Sequence, residues 1–478
     1  MAKRVVIMGG GLAGLSCGYE LAKAGLEVTV LEREPHVGGM ASSFEEGDRA
    51  TAGEAGSDYF CYDFGPHRFH TSDELLMAHA EELLGDNKVW AKRLSRIYMF
   101  GKFFDYPLEF SNVFRNMPIL VIARVMLDYA WTRTAGFAGL KKFRDQNFQE
   151  WVEKRFGRTL ADIFFVQYTE KTWGIPATEI SADWASQRIT LLSLTDTIVK
   201  MIFKPRNVPR TLVTDFIYPK LGGIGELARG YVRAIESMGG RVLVDNPVIH
   251  VHLEGMRATK IEYGNGRERS FVEADEFIST IPVTALARAV VPAAPPAVQR
   301  AAKSLQHVSI VFVYLKVAKP QVSPDNWMYL PQKELRVHRI SEFKNFSPFS
   351  APADKTLICT EITCRAGDEF WKASDEELRE IAVTDLARIG LLRPDEVLGS
   401  FVKRIPFAYP LYDLTYQEHL DTVMQFVHSL ANIKSGGRQG LFRYNNMDQS
   451  IEMGRRMADH DETHGDHEAV ATEQKYFG

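Results

Sequence analysis

Apolar and polar positions along this chain fall into blocks whose period changes several times. RVVIM (Arg4–Met8) is a short, nearly continuous apolar run cut off by three glycines, which predicts a buried strand. Leu12–Ala24 then repeats apolar and small residues at helical spacing, and EVTVL (Glu27–Leu31) predicts a second strand, so a βαβ unit opens the chain. From about residue 72 to 200, aromatic-rich stretches such as FQEWVEKRFG and TLADIFFVQYTEKTWG read as amphipathic helices. A glycine-rich loop runs into a further helix in KLGGIGELARGYVRAIESMGG. Strand-like runs follow in RVLVDN, VIHVHLEG and ATKIEYGNG, and then VEADEFISTIP reads as a strand returning to the first domain. Between 305 and 370 the alternation of HVSIVFVYLKV and TLICTEITC predicts sheet, 375–395 predicts helix, and GGRQGLFRYNNMDQSIEMGRR closes the folded part.

This order predicts an α/β fold in which a Rossmann-like dinucleotide domain is interleaved with other units. Residues 1–71, 215–285 and 430–457 make the discontinuous dinucleotide domain, 72–214 a mostly helical insert, and 286–429 a mixed-sheet substrate domain. Residues 458–478 are acidic and carry no apolar period. They predict a flexible, solvated tail, with His460, His464 and His467 in water rather than on a metal.

The composition, 45% hydrophobic and 25% charged over 478 residues, excludes intrinsic disorder and a disulfide scaffold. With 57 Lys+Arg against 61 Asp+Glu the net charge is −4, which offers no footprint for nucleic acid. Cys17, Cys61, Cys359 and Cys364 form no CxxC pair, so no zinc site is expected. The most apolar stretch, Met117–Trp131, is broken by Arg124 and Asp128 and falls short of the roughly 20 residues a spanning helix needs, so no integral membrane segment is expected. With no secretory pattern at the start, a cytoplasmic location is expected.

The first turn carries the chemistry. Gly9-Gly10-Gly11-Leu12-Ala13-Gly14 is a GxGxxG after a strand and at the start of a helix: Gly9 permits the tight turn, Gly11 lets backbone approach a pyrophosphate, and Gly14 allows close helix–strand packing. Glu32, 18 residues after Gly14 at the end of the second strand, is placed to accept ribose hydroxyls, with Arg33 beside it. A second pair, Gly38-Gly39 followed by Met40, suits another close approach to a diphosphate. Together these features favour FAD over NAD. The strand run around Val248 is a candidate edge for adenine. The helix opened by Asp448, Gln449 and Ser450 is a candidate for the flavin's pyrimidine oxygens, its dipole favouring negative charge on a reduced ring.

Four further segments carry a family likeness. GPHRFHT (Gly65–Thr71), FDYPL (Phe104–Leu108), YTEKTWG (Tyr168–Gly174) and FRYNNMD (Phe442–Asp448) resemble motifs of the FAD-containing amine-oxidase superfamily and, within it, of the UDP-galactopyranose mutases. Protoporphyrinogen-oxidase-like flavoproteins are wider kin, and the likeness runs from Arg4 to about Arg456. Arg68 departs from the aliphatic residue usual in that loop. The resemblance implies a flavin-dependent nucleotide-sugar mutase that interconverts pyranose and furanose rings through an N5–sugar adduct of reduced FAD. A nucleotide sugar is then the small-molecule substrate and NAD(P)H a candidate reductant. It puts Pro66 and His67 beside the flavin ring and assigns Arg339, Tyr409, Arg443 and Tyr444 to the substrate diphosphate, with His67, Arg339 and Arg443 as the catalytic set. Arg339 and Arg443 have aromatic neighbours, so burial is expected, and a buried arginine requires an anionic partner, assigned here to substrate phosphate. Arg188 is a further substrate arginine or a helix-surface residue. His70, Trp173 and Trp184 read as structural. The alternative is an FAD-dependent oxidoreductase of the amine oxidase, protoporphyrinogen oxidase or desaturase type.

Overall fold

The computed structural model describes residues 3–106, 110–137, 145–183, 215–266, 268–459 and 466–472. Arg188 and Trp184 lie outside the described residues. The continuous apolar run of the first strand is what a strand enclosed on both faces requires, and Val5–Met8 are indeed fully buried. It is the centre of a five-stranded parallel sheet in the order Ile433–Ser435, Glu276–Ser279, Arg4–Met8, Glu27–Leu31, Arg241–Leu243. This sheet is therefore assembled from the beginning, middle and end of the chain. The helix Leu12–Lys23 lies against it and is crossed closely by the helix Met447–Ala458. A Cβ on Gly454 would sit 2.3 Å from the Ala13 carbonyl oxygen, and Ser16 Oγ donates to the carbonyl of Ile451 at 2.9 Å.

A second, seven-stranded sheet carries the mixed-sheet unit, in the order Val397–Pro410, His307–Val317, Thr356–Cys364, Arg339–Glu342, Trp327–Tyr329, Ser95–Met99, Lys102–Asp105. Its last two strands come from the stretch expected to be helical. Three strands, Lys88–Lys92, Ser95–Met99 and Lys102–Asp105, stand between the helix Glu74–Leu84 and the helices that begin at Phe110, and Lys88–Lys92 pairs with Asp215–Pro219. These strands are short and half-buried, and their partners lie far along the chain, so local periodicity does not mark them. The C-terminal stretch also differs from a solvated tail. His467–Thr472 forms a 3-10 turn docked on the last helix, with Val470 fully buried, Arg456 Nη1 donating to the Asp466 carbonyl at 3.0 Å and His467 Nε2 set 2.9 Å from the Ser435 carbonyl. All four cysteines are free and buried. Among the described residues no helix is long and apolar enough to cross a membrane and no cluster of His, Cys, Asp or Glu could hold a metal ion.

One buried carboxylate joins these units. Asp63, at the end of the strand Phe60–Asp63, accepts from Ser43 Oγ, from Tyr218 OH at 2.7 Å and from the amide of Ile224 at 3.2 Å, and its own carbonyl accepts from Tyr314 OH at 2.7 Å. The glycine-rich turn before the helix Glu226–Ser237 exists to reach it: Gly223 sits at φ +64, and a Cβ there would lie 2.4 Å from Asp63 Oδ1. Burial lifts the carboxyl to about 7 against those donors. Asp63→Ala leaves Ser43, Tyr218 and Ile224 without their acceptor and should cost about 3 kcal/mol of unfolding free energy in urea, with Asp63→Asn costing less because one carbonyl oxygen remains.

Candidate functional site

The GxGxxG turn opens a long cavity of about 520 Å³. Its first end is formed by Gly9, Gly11, Leu12 and Ala13, by Glu32 and Arg33 at the strand end, and by Gly38, Gly39 and Met40 opposite. The glycines do different work. A Cβ on Gly14 would lie 2.1 Å from the Gly9 carbonyl oxygen, so Gly14 packs beneath the turn rather than lining the cavity. A Cβ on Gly11 would meet nothing within 4 Å, so the backbone there faces open space. The Gly38 amide donates to the Gly10 carbonyl at 2.8 Å, which fixes the second glycine pair across from the first turn. Glu32 accepts from the amides of Gly10 at 2.7 Å and Glu34 at 2.9 Å, and burial raises its carboxyl above the usual range. Val248 and Ser450 line the cavity as expected, whereas Pro66, Asp448 and Gln449 do not. Gln449 Oε1 accepts from the Asn446 amide at 2.7 Å and so caps the last helix, and Asp448 bonds the Thr71 side chain, its carboxyl lifted by burial to about 7.

At its other end the cavity reaches His67 and Arg438–Gln439. Here Arg438 lies 4.5 Å from the Tyr444 ring centroid and 5.8 Å from that of Tyr409, and those two rings stack at 5.3 Å. Arg438 Nη2 donates to the Asn445 carbonyl. Arg438 Nη1, Gln439 Oε1, Asn445 Oδ1 and His67 Nδ1 are buried without a partner. Such orphaned groups are costly unless a guest satisfies them. An open glycine cradle at one end and unpaired polar atoms at the other fit an extended dinucleotide such as FAD. Burial first, then the charges of Arg438 and Arg339, push the His67 imidazole down to about 3.

Arg339 is half of a buried pair. Its Nε donates to Glu361 Oε1 and its Nη2 to Glu361 Oε2, both at 2.6 Å, and Nη2 also reaches Tyr409 OH at 3.3 Å. Burial pushes Glu361 up and the guanidinium pulls it back, and the two short contacts leave the proton on Arg339. The anionic partner expected from substrate is therefore supplied by the protein. Arg443 is elsewhere: it donates to the Glu468 carbonyl of the docked C-terminal turn and does not line the cavity. The cavity is lined instead by Arg438, in GGRQG, along with Arg33, Arg288 and Arg404; the signal for Arg438 was an arginine between glycines at a turn. Glu361 was also missed, although a charged residue within the apolar strand TLICTEITC marks it. Tyr168 and Trp173 of YTEKTWG complete this end. Burial raises the Tyr168 phenol, with the charge of Arg339 acting against it, and Trp173 packs 5.9 Å from Tyr409. His67, Tyr168, Arg339, Tyr409 and Tyr444, from five separate stretches, thus meet in one neighbourhood.

The family model described as flavin containing amine oxidoreductase matches residues 12–410, and the chain belongs to that family. "Probable UDP-galactopyranose mutase" of Klebsiella pneumoniae is 26% identical over 184 residues, covering 38% of this chain and 43% of that protein, so the match spans less than half of the relative. The 15-cis-phytoene desaturase of Synechococcus elongatus is 23% identical over 423 residues, 84% of this chain and 82% of that protein. The crystal structure of a reduced UDP-galactopyranose mutase superposes with a TM-score of 0.80 at 21% identity, covering 98% of this chain and 96% of that one, which establishes the fold.

Two outcomes follow from the geometry. Arg339→Ala strands a buried carboxylate and should lower unfolding free energy by about 3–5 kcal/mol, while the paired change Arg339→Leu with Glu361→Leu should restore most of that loss in urea titrations. Below pH 6.5 the unfolded chain takes up a proton at His67 that the native state refuses until about pH 3. Native stability is therefore lost as pH falls through that window. Relative to His67→Asn, the parent should lose about 1.4 kcal/mol per pH unit between pH 6 and pH 4 in urea titrations at stepped pH.

Proposed function

We propose that this flavin-family protein is a nucleotide-sugar mutase of the UDP-galactopyranose mutase type, interconverting pyranose and furanose rings of a sugar nucleotide without net oxidation. The observation that carries the reading is the convergence, at the inner end of the cavity, of the segments resembling mutase motifs: a neutral histidine, guanidiniums and stacked tyrosines. The amides of the first turn, the positive end of the helix Leu12–Lys23, and Gly38–Gly39 opposite are the groups that would hold FAD. When bound and reduced, it supplies the electron-rich ring at which the sugar carbon reacts. The chain's own residues orient the substrate and balance its charge. Arg438, stacked on Tyr444 with one nitrogen unpaired, binds the departing diphosphate. Tyr409, its phenol raised by burial to about 12, stays protonated beside the Arg339–Glu361 pair and supplies a hydroxyl to the same group. His67, uncharged, accepts or donates one hydrogen bond without adding a third positive charge. NAD(P)H is the proposed reductant.

A second reading, an FAD-dependent oxidoreductase acting on an amine or apolar substrate, is supported by the desaturase likeness over most of the chain. The two separate in one assay. Dithionite-reduced, anaerobic protein incubated with UDP-galactose is expected to yield a nucleotide sugar of altered ring size by chromatography, with no consumption of reductant per turnover. Absence of any such product, together with aerobic bleaching of the flavin by an amine or polyene, would overturn the mutase reading.

A further inference from the structure

Two cations beside the proposed site are not among the residues assigned to the reaction above. Arg68 follows His67 directly, and Arg93 lies just before the strand Ser95–Met99. Both guanidiniums sit over the same indole, 4.3 Å and 5.4 Å from the Trp327 ring centroid, with Phe216 at 5.9 Å from Arg68 and Tyr106 at 5.2 Å from Arg93. Among the described residues neither arginine has a carboxylate partner or a hydrogen-bond acceptor. The Nε of each is enclosed and unpartnered, as is the indole Nε1 of Trp327. Among the described residues the terminal nitrogens of both also have no hydrogen-bond partner, and they are not fully enclosed.

This arrangement is costly. Burial and the like charge of Arg93 hold the Arg68 guanidinium down to about 10, and the groups acting the other way are the phenols of Tyr329, Tyr106 and Tyr444, none of them a carboxylate. Cation–π contact offsets part of the cost, about 0.5–2 kcal/mol per arginine. Elsewhere the fold gives such an arginine a carboxylate: Arg96, three residues after Arg93, is bound by the fully buried Asp325 through contacts of 2.6–3.0 Å. The Arg68–Arg93 patch is donors only, with ten guanidinium N–H groups by the chemistry of the side chain and no acceptor. A cationic or neutral guest leaves them unsatisfied, whereas a carboxylate or phosphate oxygen pair matches the planar forks.

We propose that Arg68 and Arg93 form an oxyanion-binding subsite that takes a carboxylate or phosphate of the substrate. Assigning the anion to substrate rests on the mutase reading; the anion site itself does not. Arg68 directly follows His67, which lines the inner end of the cavity, and Tyr329, close enough to act on Arg68 electrostatically, meets Tyr106 at 5.5 Å and Tyr168 at 5.4 Å. Two sources share this chemistry: the diphosphate of any sugar nucleotide, or a carboxylate on the sugar ring.

The test uses the flavin-loaded protein with UDP-galactose, UDP-galacturonate and inorganic pyrophosphate, read by calorimetric titration and by melting temperature. Arg68→Met and Arg93→Met are each expected to weaken binding by about 30-fold or more. A loss shared by both sugar nucleotides assigns the subsite to the diphosphate; a loss confined to the uronate assigns it to the ring carboxylate. Should the wild type ignore every sugar nucleotide while pyrophosphate still raises its melting temperature, and should that rise vanish in both Met variants, the mutase reading falls and the subsite stands. Arg68→Lys and Arg93→Lys, which keep the charge but not the fork, should bind between the parent and the Met variants, and they carry the test if a Met variant sheds its flavin. Binding of all three probes unchanged in the Met variants, or no response of the wild type to any of them, overturns the proposal.

Discussion

A guanidinium removed from water has to meet an acceptor, and the way this chain answers that demand divides its arginines into two groups. Arg96 meets Asp325, Arg456 meets Glu452 and Arg339 meets Glu361, in each case with the acid itself buried. These pairs are closed, and what they do is hold elements in place: Arg96 ties the strand Ser95–Met99 to the turn before Trp327–Tyr329, and Arg339 joins two neighbouring strands of the seven-stranded sheet. Arg438, Arg68 and Arg93 are left with unpartnered nitrogens, and all three belong to the same end of the molecule. A cluster of unbalanced cations destabilises a fold on its own terms, so the rest of the structure must be firm enough to hold it.

That firmness comes from the interleaving. The five-stranded sheet takes strands from three separate parts of the chain, and the seven-stranded sheet takes strands from both sides of the helices between residues 110 and 183. Neither unit can part from the other without breaking pairings far apart in sequence. The open arginines sit on short turns anchored by such pairings. Arg68 lies three residues after Gly65, whose missing side chain leaves room for the Glu361 carboxylate 2.7 Å from where a Cβ would stand. Arg438 follows Gly437, which at φ +75 turns the backbone against Ala13 of the first helix. In both places a glycine lets a turn press onto a rigid element, and the arginine is carried with it.

What was legible in the sequence follows the range of the forces involved. The first strand, the glycine turn and the second strand are local, and each residue's reason is present within a few positions, so GxGxxG and Glu32 land in the cavity. The strands Lys88–Lys92 and Lys102–Asp105 were hidden because they lie half-buried at sheet margins, where cross-strand partners rather than local period decide the structure. The arginine assignments erred for a related reason. Aromatic neighbours argued correctly that Arg339 is buried, but its partner, Glu361, is supplied by an adjacent strand. For Arg443 the deciding feature is direction: Phe442 adopts φ +51, and Arg443 bonds the docked C-terminal turn. That turn looked solvated because its one apolar anchor, Val470, stands alone in an acidic stretch.

The same electrostatics bear on which member of a broad family this chain most resembles in its chemistry. An amine substrate of an oxidase is a cation in water, and in this site it would approach Arg438, Arg68 and Arg93, while Glu361 is already taken by Arg339. A polyene would leave the guanidinium forks and the enclosed N–H of Trp327 unsatisfied. An anionic substrate removes both penalties at once, and the neutral imidazole of His67 can sit beside it without competing for the negative charge. On the proposed reading the site binds and stabilises negative charge rather than relaying protons. That is the division of labour expected when the hard step belongs to the cofactor and the protein contributes position and field.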